Sequence, residues 1–154
     1  MKDEMIVHFG VRTTEPVKVA YKELKPDEDV STAVSELLSK MTEMYHQHHT
    51  TYDHSMIVYY DPPDTPGGRK EVLVPLPWDI EGVDSKTFPS VRAAFLVYEG
   101  AGTPVDVYHR RLEELIEHQG LERDEEIHSI EIMYVPEDLD YTDYTIEIMF
   151  PVKR

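Results

Sequence analysis

A chain of 154 residues that is 40% apolar is long enough to bury one well-formed core, and its spread of Tyr, Val, Ile and Leu is not that of a disordered segment. A formal charge of −16 argues against gripping nucleic-acid phosphates or anionic membranes, and the absence of cysteine excludes disulfides and thiolate metal sites. The opening MKDEMIVHFG lacks the basic start and apolar centre of a signal peptide, and no apolar run reaches membrane-spanning length, so a cytoplasmic protein is expected.

In chain order, alternation predicts a first strand over roughly Met5–Arg12 and a second over Val17–Leu24. Val30, Val34, Leu37, Leu38, Met41 and Tyr45 then share one helical stripe, with Asp29 or Ser31 placed to cap it. Two strands follow, HSMIVYY and EVLVPL, joined by a loop of Pro, Asp and Gly. The same series then recurs. Strands are predicted over Val83–Phe88 and Val91–Tyr98. A helix begins at Thr103-Pro104-Val105-Asp106, which offers a cap, a first-turn proline and an early acid. Its stripe is Val105, Tyr108, Leu112, Leu115 and Ile116, and Gly120 ends it. IEIMY and TIEIMF close the chain as two more strands.

The recurrence extends to residues. His54-Ser55-Met56-Ile57-Val58-Tyr59-Tyr60 reads against His128-Ser129-Ile130-Glu131-Ile132-Met133-Tyr134 at an offset of 74, and Val17–Tyr21 meets Val91–Phe95 at the same offset. Slightly further on, Glu71-Val72-Leu73-Val74-Pro75 meets Glu147-Ile148-Met149-Phe150-Pro151. A long period occurring twice predicts a single domain over 1–154, built from two strand–helix–two-strand units at about 1–79 and 80–154. The fold class is α+β, with both helices on one face of an antiparallel sheet and the other face wet or ligand-binding.

Alternation assigns the faces. Ile130, Ile132 and Tyr134 form one set, with Ile146, Ile148 and Phe150, and are expected under the helices; Glu131, Met133, Glu147 and Met149 are expected on the open face. A turn centred near Leu139 sets Glu131 opposite Glu147, whereas a turn on Asp64 sets Ile57 opposite Glu71, leaving the acidic pair to the second half alone. Paired carboxylates repel, and burial raises their pKa values; a bound organic cation relieves both. Tyr59, Tyr98, Tyr108 and Trp78 are the candidate aromatic walls, with Met133 beside them. The competing reading makes Glu131 and Glu147 solvated residues on a wet sheet face.

VRAAFLVYEG, a helix with Tyr108 and the Leu112–Ile116 stripe, Gly120, IEIMYVPED and TIEIMFPVKR, in that order, resemble the GyrI-like domain, the bacterial effector-binding domain of AraC-type and MerR-type regulators. YYDPPDTP and EVLVPL resemble its first half, so the likeness runs from about Met5 to Arg154. The resemblance implies two units related by a pseudo-two-fold axis and a ligand cleft between them. It implies lipophilic, often cationic or aromatic ligands, and a buried glutamate in the second half that takes the positive charge. Glu131 of IEIMY fits that role best, and Glu147 of TIEIMFPV fits the final-strand pattern. Regulators of the family carry a DNA-binding domain ahead of this one; here the first predicted strand starts within a few residues of Met1, which resembles the single-domain members. No direct nucleic-acid or membrane partner, no cofactor and no catalytic residue is expected, in a monomer or dimer.

Three rival readings accompany this one. In a hydrolase, a cleft carboxylate of raised pKa acts as general acid or base, although neither G-x-S-x-G nor cysteine is present. In a gyrase-inhibitor-like protein, the acidic surface addresses a basic partner. Third, His46, His48, His49 and His54 cluster near the end of the first helix, where a solvated helix end is a simpler account than a metal site. His109, His118 and His128 are scattered and expected to be exposed, and haem is a further ligand to consider because SOUL-type tetrapyrrole binders use a related fold.

Overall fold

The computed structural model describes residues 6–25, 27–47, 54–76, 82–99, 105–134 and 145–153. In chain order it contains β1 (Ile6–Thr13), β2 (Val17–Glu23), α1 (Val30–Gln47), β3 (His54–Tyr59), β4 (Lys70–Pro75), β5 (Ser85–Phe88), β6 (Arg92–Glu99), α2 (Val105–His118), β7 (Ser129–Tyr134) and β8 (Thr145–Pro151). The α+β class and the predicted order of elements are both found. Of the two candidate caps, Asp29 accepts the Thr32 amide at 3.2 Å, while Ser31 lies inside α1. Thr103 and Pro104 lie outside the described residues. Gly120 ends α2 at φ 66°, and the Leu121 and Gly120 amides reach back to the carbonyls of Ile116 and Glu117, the paired bonds of a glycine-capped terminus. No described helix is long and apolar enough to cross a membrane.

The strands form one antiparallel sheet in the order β1-β6-β8-β7-β3-β4-β2-β5. Read inward from one edge the order is β1, β6, β8, β7; from the other it is β5, β2, β4, β3. The two series meet where β3 pairs with β7.

Connection lengths determine the sheet's shape. Residues 14–16 join β1, at one edge, to β2, seventh in the sheet, and residues 89–91 join β5, at the opposite edge, to β6, second in the sheet. In a flat sheet six strand spacings separate each pair by about 29 Å, whereas three linking residues reach only about 14 Å. The sheet must therefore curl until its margins approach. The two links are tied together: the Thr14 amide donates to the Val91 carbonyl at 2.8 Å, the Val91 amide to Thr14 Oγ1 at 3.0 Å, and the Ser90 hydroxyl to the Thr14 carbonyl at 2.6 Å.

Curling turns the helix-free face into an interior. Val19, Phe88, Met56, Val58, Leu73, Ile130, Ile132, Met149, Ala93 and Phe95, drawn from seven strands, form one buried cluster there. On the outer face α1 packs Ala33, Leu37 and Met41 against Ala20, Val72 and Val74, and α2 packs Tyr108, Leu112 and Ile116 against Leu96, Ile148 and Phe150. The expected wet or binding open face is thus filled by the protein's own side chains.

Both hairpin registers differ by one residue from those expected. Glu131 pairs with Ile148 and Ile132 with Glu147; in the other hairpin Val58, not Ile57, faces Glu71. A one-residue slip exchanges faces. Ile130 and Ile132 consequently lie in the inner cluster, and Glu131 and Met133 on the helix side. Ile148 and Phe150 lie under α2, as alternation predicted.

The left-handed backbone at Gly120 gives a direct test. No atom lies within 4 Å of a Cβ built there, so Gly120→Ala carries a backbone penalty alone. It is expected to lower unfolding free energy by about 1 kcal/mol in a denaturant titration; an unchanged midpoint would contradict the cap.

Candidate ligand-binding site

Val72, Ile57, Glu131, Ile148 and Leu96 are successive partners across five strands and therefore lie in one row on one face. One end of the row lies under α1 and the other under α2. Glu131 is in the middle, on strands neither helix covers. A cleft of about 570 Å³ opens beside it. Tyr59 and Glu131 form its floor, Asp106, His109, Arg110 and Glu113 of α2 its wall, and Pro63 and Asp64 of the β3–β4 loop its rim. Four carboxylates against one guanidinium give this hollow a negative field.

The Glu131 side chain is 25% exposed, and His109 Nε2 lies 3.4 Å from its Oε1. That separation is within ion-pair range but lacks hydrogen-bond geometry, so the buried Nε2 has no hydrogen-bond partner. Burial, and then the charge of Glu131, pushes the Tyr59 phenol up to about 12. The same two causes, in that order, raise Tyr98, with a smaller contribution from Tyr108. Tyr98 and Tyr108 are both buried and stack on each other, with ring centroids 3.6 Å apart and planes at 11°. Met133 is exposed on the same face as Glu131. Trp78 lies outside the described residues, as do His48 and His49 and the side chain of His46. Among the described residues no group of three or more His, Asp or Glu is arranged to hold a metal ion.

Glu147 occupies a different environment. It is 1% exposed, lies on the inner face, pairs with the Arg12 guanidinium and accepts the Tyr134 hydroxyl at 2.9 Å. The expected adjacency of Glu131 and Glu147 is therefore absent, because the register slip puts them on opposite faces. Nor is an acidic position at Glu147 peculiar to the second half. Glu71, also 1% exposed, receives Lys86 Nζ at 2.8 Å on each oxygen and accepts the Tyr60 hydroxyl. Arg12 lies 4.6 Å above the Phe95 ring and Lys86 4.5 Å above the Tyr21 ring. Glutamate, phenol, cation and supporting ring thus occur twice, at positions the sequence repeat aligns.

Alternation could not reveal Asp106, Arg110 and Glu113, which form a stripe flanking the buried face of α2; the helical period could have shown that flank once α2 was placed over β8. His109 was expected to be exposed and is instead part of the cleft wall; His128 is also partly buried, and burial, followed by the nearby Arg123 charge, lowers its pKa. His118 is exposed as expected.

Two stability measurements separate the glutamates. Glu147→Gln leaves part of a buried ion pair unmet and is expected to lower stability by about 2 kcal/mol, a value reduced because Arg12 is 43% exposed. Glu131→Gln should change stability by less than about 1 kcal/mol; equal losses would contradict the assignment. Tyr59 and Tyr134 are both held near 12, each chiefly by burial. Unfolded phenols ionise near 10, so the unfolded chain releases these protons first. Stability is full below about pH 10 and is lost as pH rises towards 12. Phenolate absorbance followed alongside denaturation checks this, and normal titration of every tyrosine would contradict it.

No protein-family model and no curated protein matches the chain. Solved structures do. The C-terminal domain of EcmrR superposes with a TM-score of 0.69 at 13% identity, covering 96% of this chain and 98% of that one. SAV2435 bound to tetraphenylphosphonium gives 0.53 at 12% identity, covering 96% and 94%. A hydrolase encoded by lin2189 from Listeria innocua gives 0.59 at 10% identity, covering 94% and 91%. At these identities the likeness concerns the fold, and it spans nearly the whole chain: this protein has the fold of the EcmrR C-terminal domain.

Proposed function

We propose that the protein is a non-catalytic binder of lipophilic organic cations, held in the cleft between α2 and the β3–β4 loop with Glu131 as their counter-ion. The observation that carries this reading is the position of Glu131: a carboxylate one quarter exposed, on the floor of a cleft of about 570 Å³, beside Tyr59 and ringed by Asp64, Asp106 and Glu113. A cation entering there relieves the mutual repulsion of those carboxylates. Tyr59 offers a ring face, each such contact contributing about 0.5–2 kcal/mol, and Met133 offers a polarizable, adaptable contact. The stacked Tyr98 and Tyr108 form the aromatic backing. Glu147, already neutralised by Arg12 and Tyr134, acts as a structural clamp in this scheme. Tetraphenylphosphonium on SAV2435 is a ligand of the proposed class on a related fold.

The same reading treats the chain as two copies of one unit, about 1–79 and 80–154, related by a pseudo-two-fold axis through the β3–β7 junction. The reciprocal strand order and the doubled glutamate–phenol–cation cluster support it. The negative cleft also supports action without direct nucleic-acid contact.

Calorimetric titration with tetraphenylphosphonium tests the proposal. Binding is expected in the wild type and is expected to weaken about tenfold or more in Glu131→Gln, or about 1.4 kcal/mol. Neutral triphenylphosphine oxide should bind more weakly and be indifferent to that substitution. Equal affinity of wild type and Glu131→Gln for the cation would sink the charge role.

A further inference from the structure

We propose that His109 is the cleft's own cation: once protonated, its imidazole occupies Glu131, and a ligand cation must displace it. The inference rests on the binding reading above and adds to it a residue that sets charge selectivity and makes capture pH-dependent.

Three observations place His109 in this role. Its Nε2 is 3.4 Å from Glu131 Oε1, on the wall of the same cleft. That nitrogen is buried without a hydrogen-bond partner, so a small rotation of either side chain gains a bond that the present arrangement lacks. The ring itself is held by the sheet, edge-on to Phe150 with centroids 5.4 Å apart. A positioned imidazole facing an accessible carboxylate can take two forms. Neutral, it leaves Glu131 with a negative charge to offer. Protonated, it supplies that charge's counter-ion from within the protein and repels an incoming cation.

The other groups around His109 do not duplicate this response. From α2 it is flanked by Asp106, Arg110 and Glu113; Glu131 faces it from β7, Tyr59 from β3 and Asp64 from the β3–β4 loop. His128, preceding β7, interacts with it electrostatically and itself feels Arg123. Between pH 5.5 and 7.5 ordinary carboxylates are already ionised, arginine stays charged, and Tyr59 does not ionise until about 12. The imidazoles are the groups whose ordinary range falls in that window. Falling pH protonates His109, closes the pair and excludes the cation; rising pH opens it.

Tetraphenylphosphonium carries a permanent charge, so any pH dependence of its binding belongs to the protein. Its affinity for the wild type should fall about tenfold between pH 7.5 and 5.5, the range in which imidazoles ordinarily gain a proton. His109→Gln should show less than about a twofold change over that range and bind more tightly than wild type at pH 5.5, while His128→Gln keeps the wild-type slope. Calorimetry in buffers of different ionisation heat should detect proton release on binding within that pH range in the wild type and none in His109→Gln. An NMR reading without ligand complements this: lowering the pH from 7.5 to 5.5 should move the Glu131 side-chain carboxylate signal in the wild type and leave it in place in His109→Gln. Binding with no pH slope, a slope retained in His109→Gln, or a Glu131 signal that moves equally in both proteins each overturns the proposal while leaving cation binding intact. Absence of binding at every pH, in wild type and His109→Gln alike, overturns the binding reading and this inference with it.

Discussion

Two short links that cross one another dictate what each face of the sheet can be. Residues 14–16 and 89–91 each join strands that a flat sheet would hold far apart, and the hydrogen bonds of Thr14 to Ser90 and Val91 fasten one link to the other. The resulting curl buries the helix-free face as a continuous apolar interior. The partly exposed carboxylate of Glu131 is then on the outer face. There α1 and α2 each cover one flank and leave the central strands β3 and β7 between them.

Within that frame the acidic residues divide by environment. Glu71 and Glu147 are almost wholly buried, and each is met by a cation, a phenol and an aromatic ring beneath the cation. They resemble one another more closely than either resembles Glu131. Glu131 pairs across the central junction with Ile57, the residue the sequence repeat aligns with it. Two glutamates there would repel at close range, and two isoleucines would leave no charge; one of each gives an acid with an apolar neighbour. Asymmetry at the centre and symmetry at the margins follow from different demands on the same pattern of strands.

Much of this architecture was legible in the sequence. The stripes through Leu37 and Leu112, the cap at Asp29 and the stop at Gly120 each depend on local chemistry, and each is found. Register was not legible. Both hairpins alternate apolar and mixed residues, and with an apolar interior on one side and helices on the other, a slip by one residue left Ile130 and Ile132 equally acceptable on either face. The separation of Glu131 from Glu147 followed from that slip. His109 was missed because its place beside Glu131 depends on the azimuth of α2 over β8, which spacing along the chain does not contain. The family resemblance ranked Glu131 ahead of Glu147 from the order of segments, without reference to pairing.

The marginal strands also carry each other's charges. Arg12, from the first half, neutralises Glu147 of the second; Lys86, from the second, neutralises Glu71 of the first. Neither half, severed near residue 80, retains the cation for its own interior acid. Such a fragment would bury an orphaned negative charge at a penalty of several kcal/mol. The covalent join near residue 80 keeps each cation within reach of the acid it neutralises.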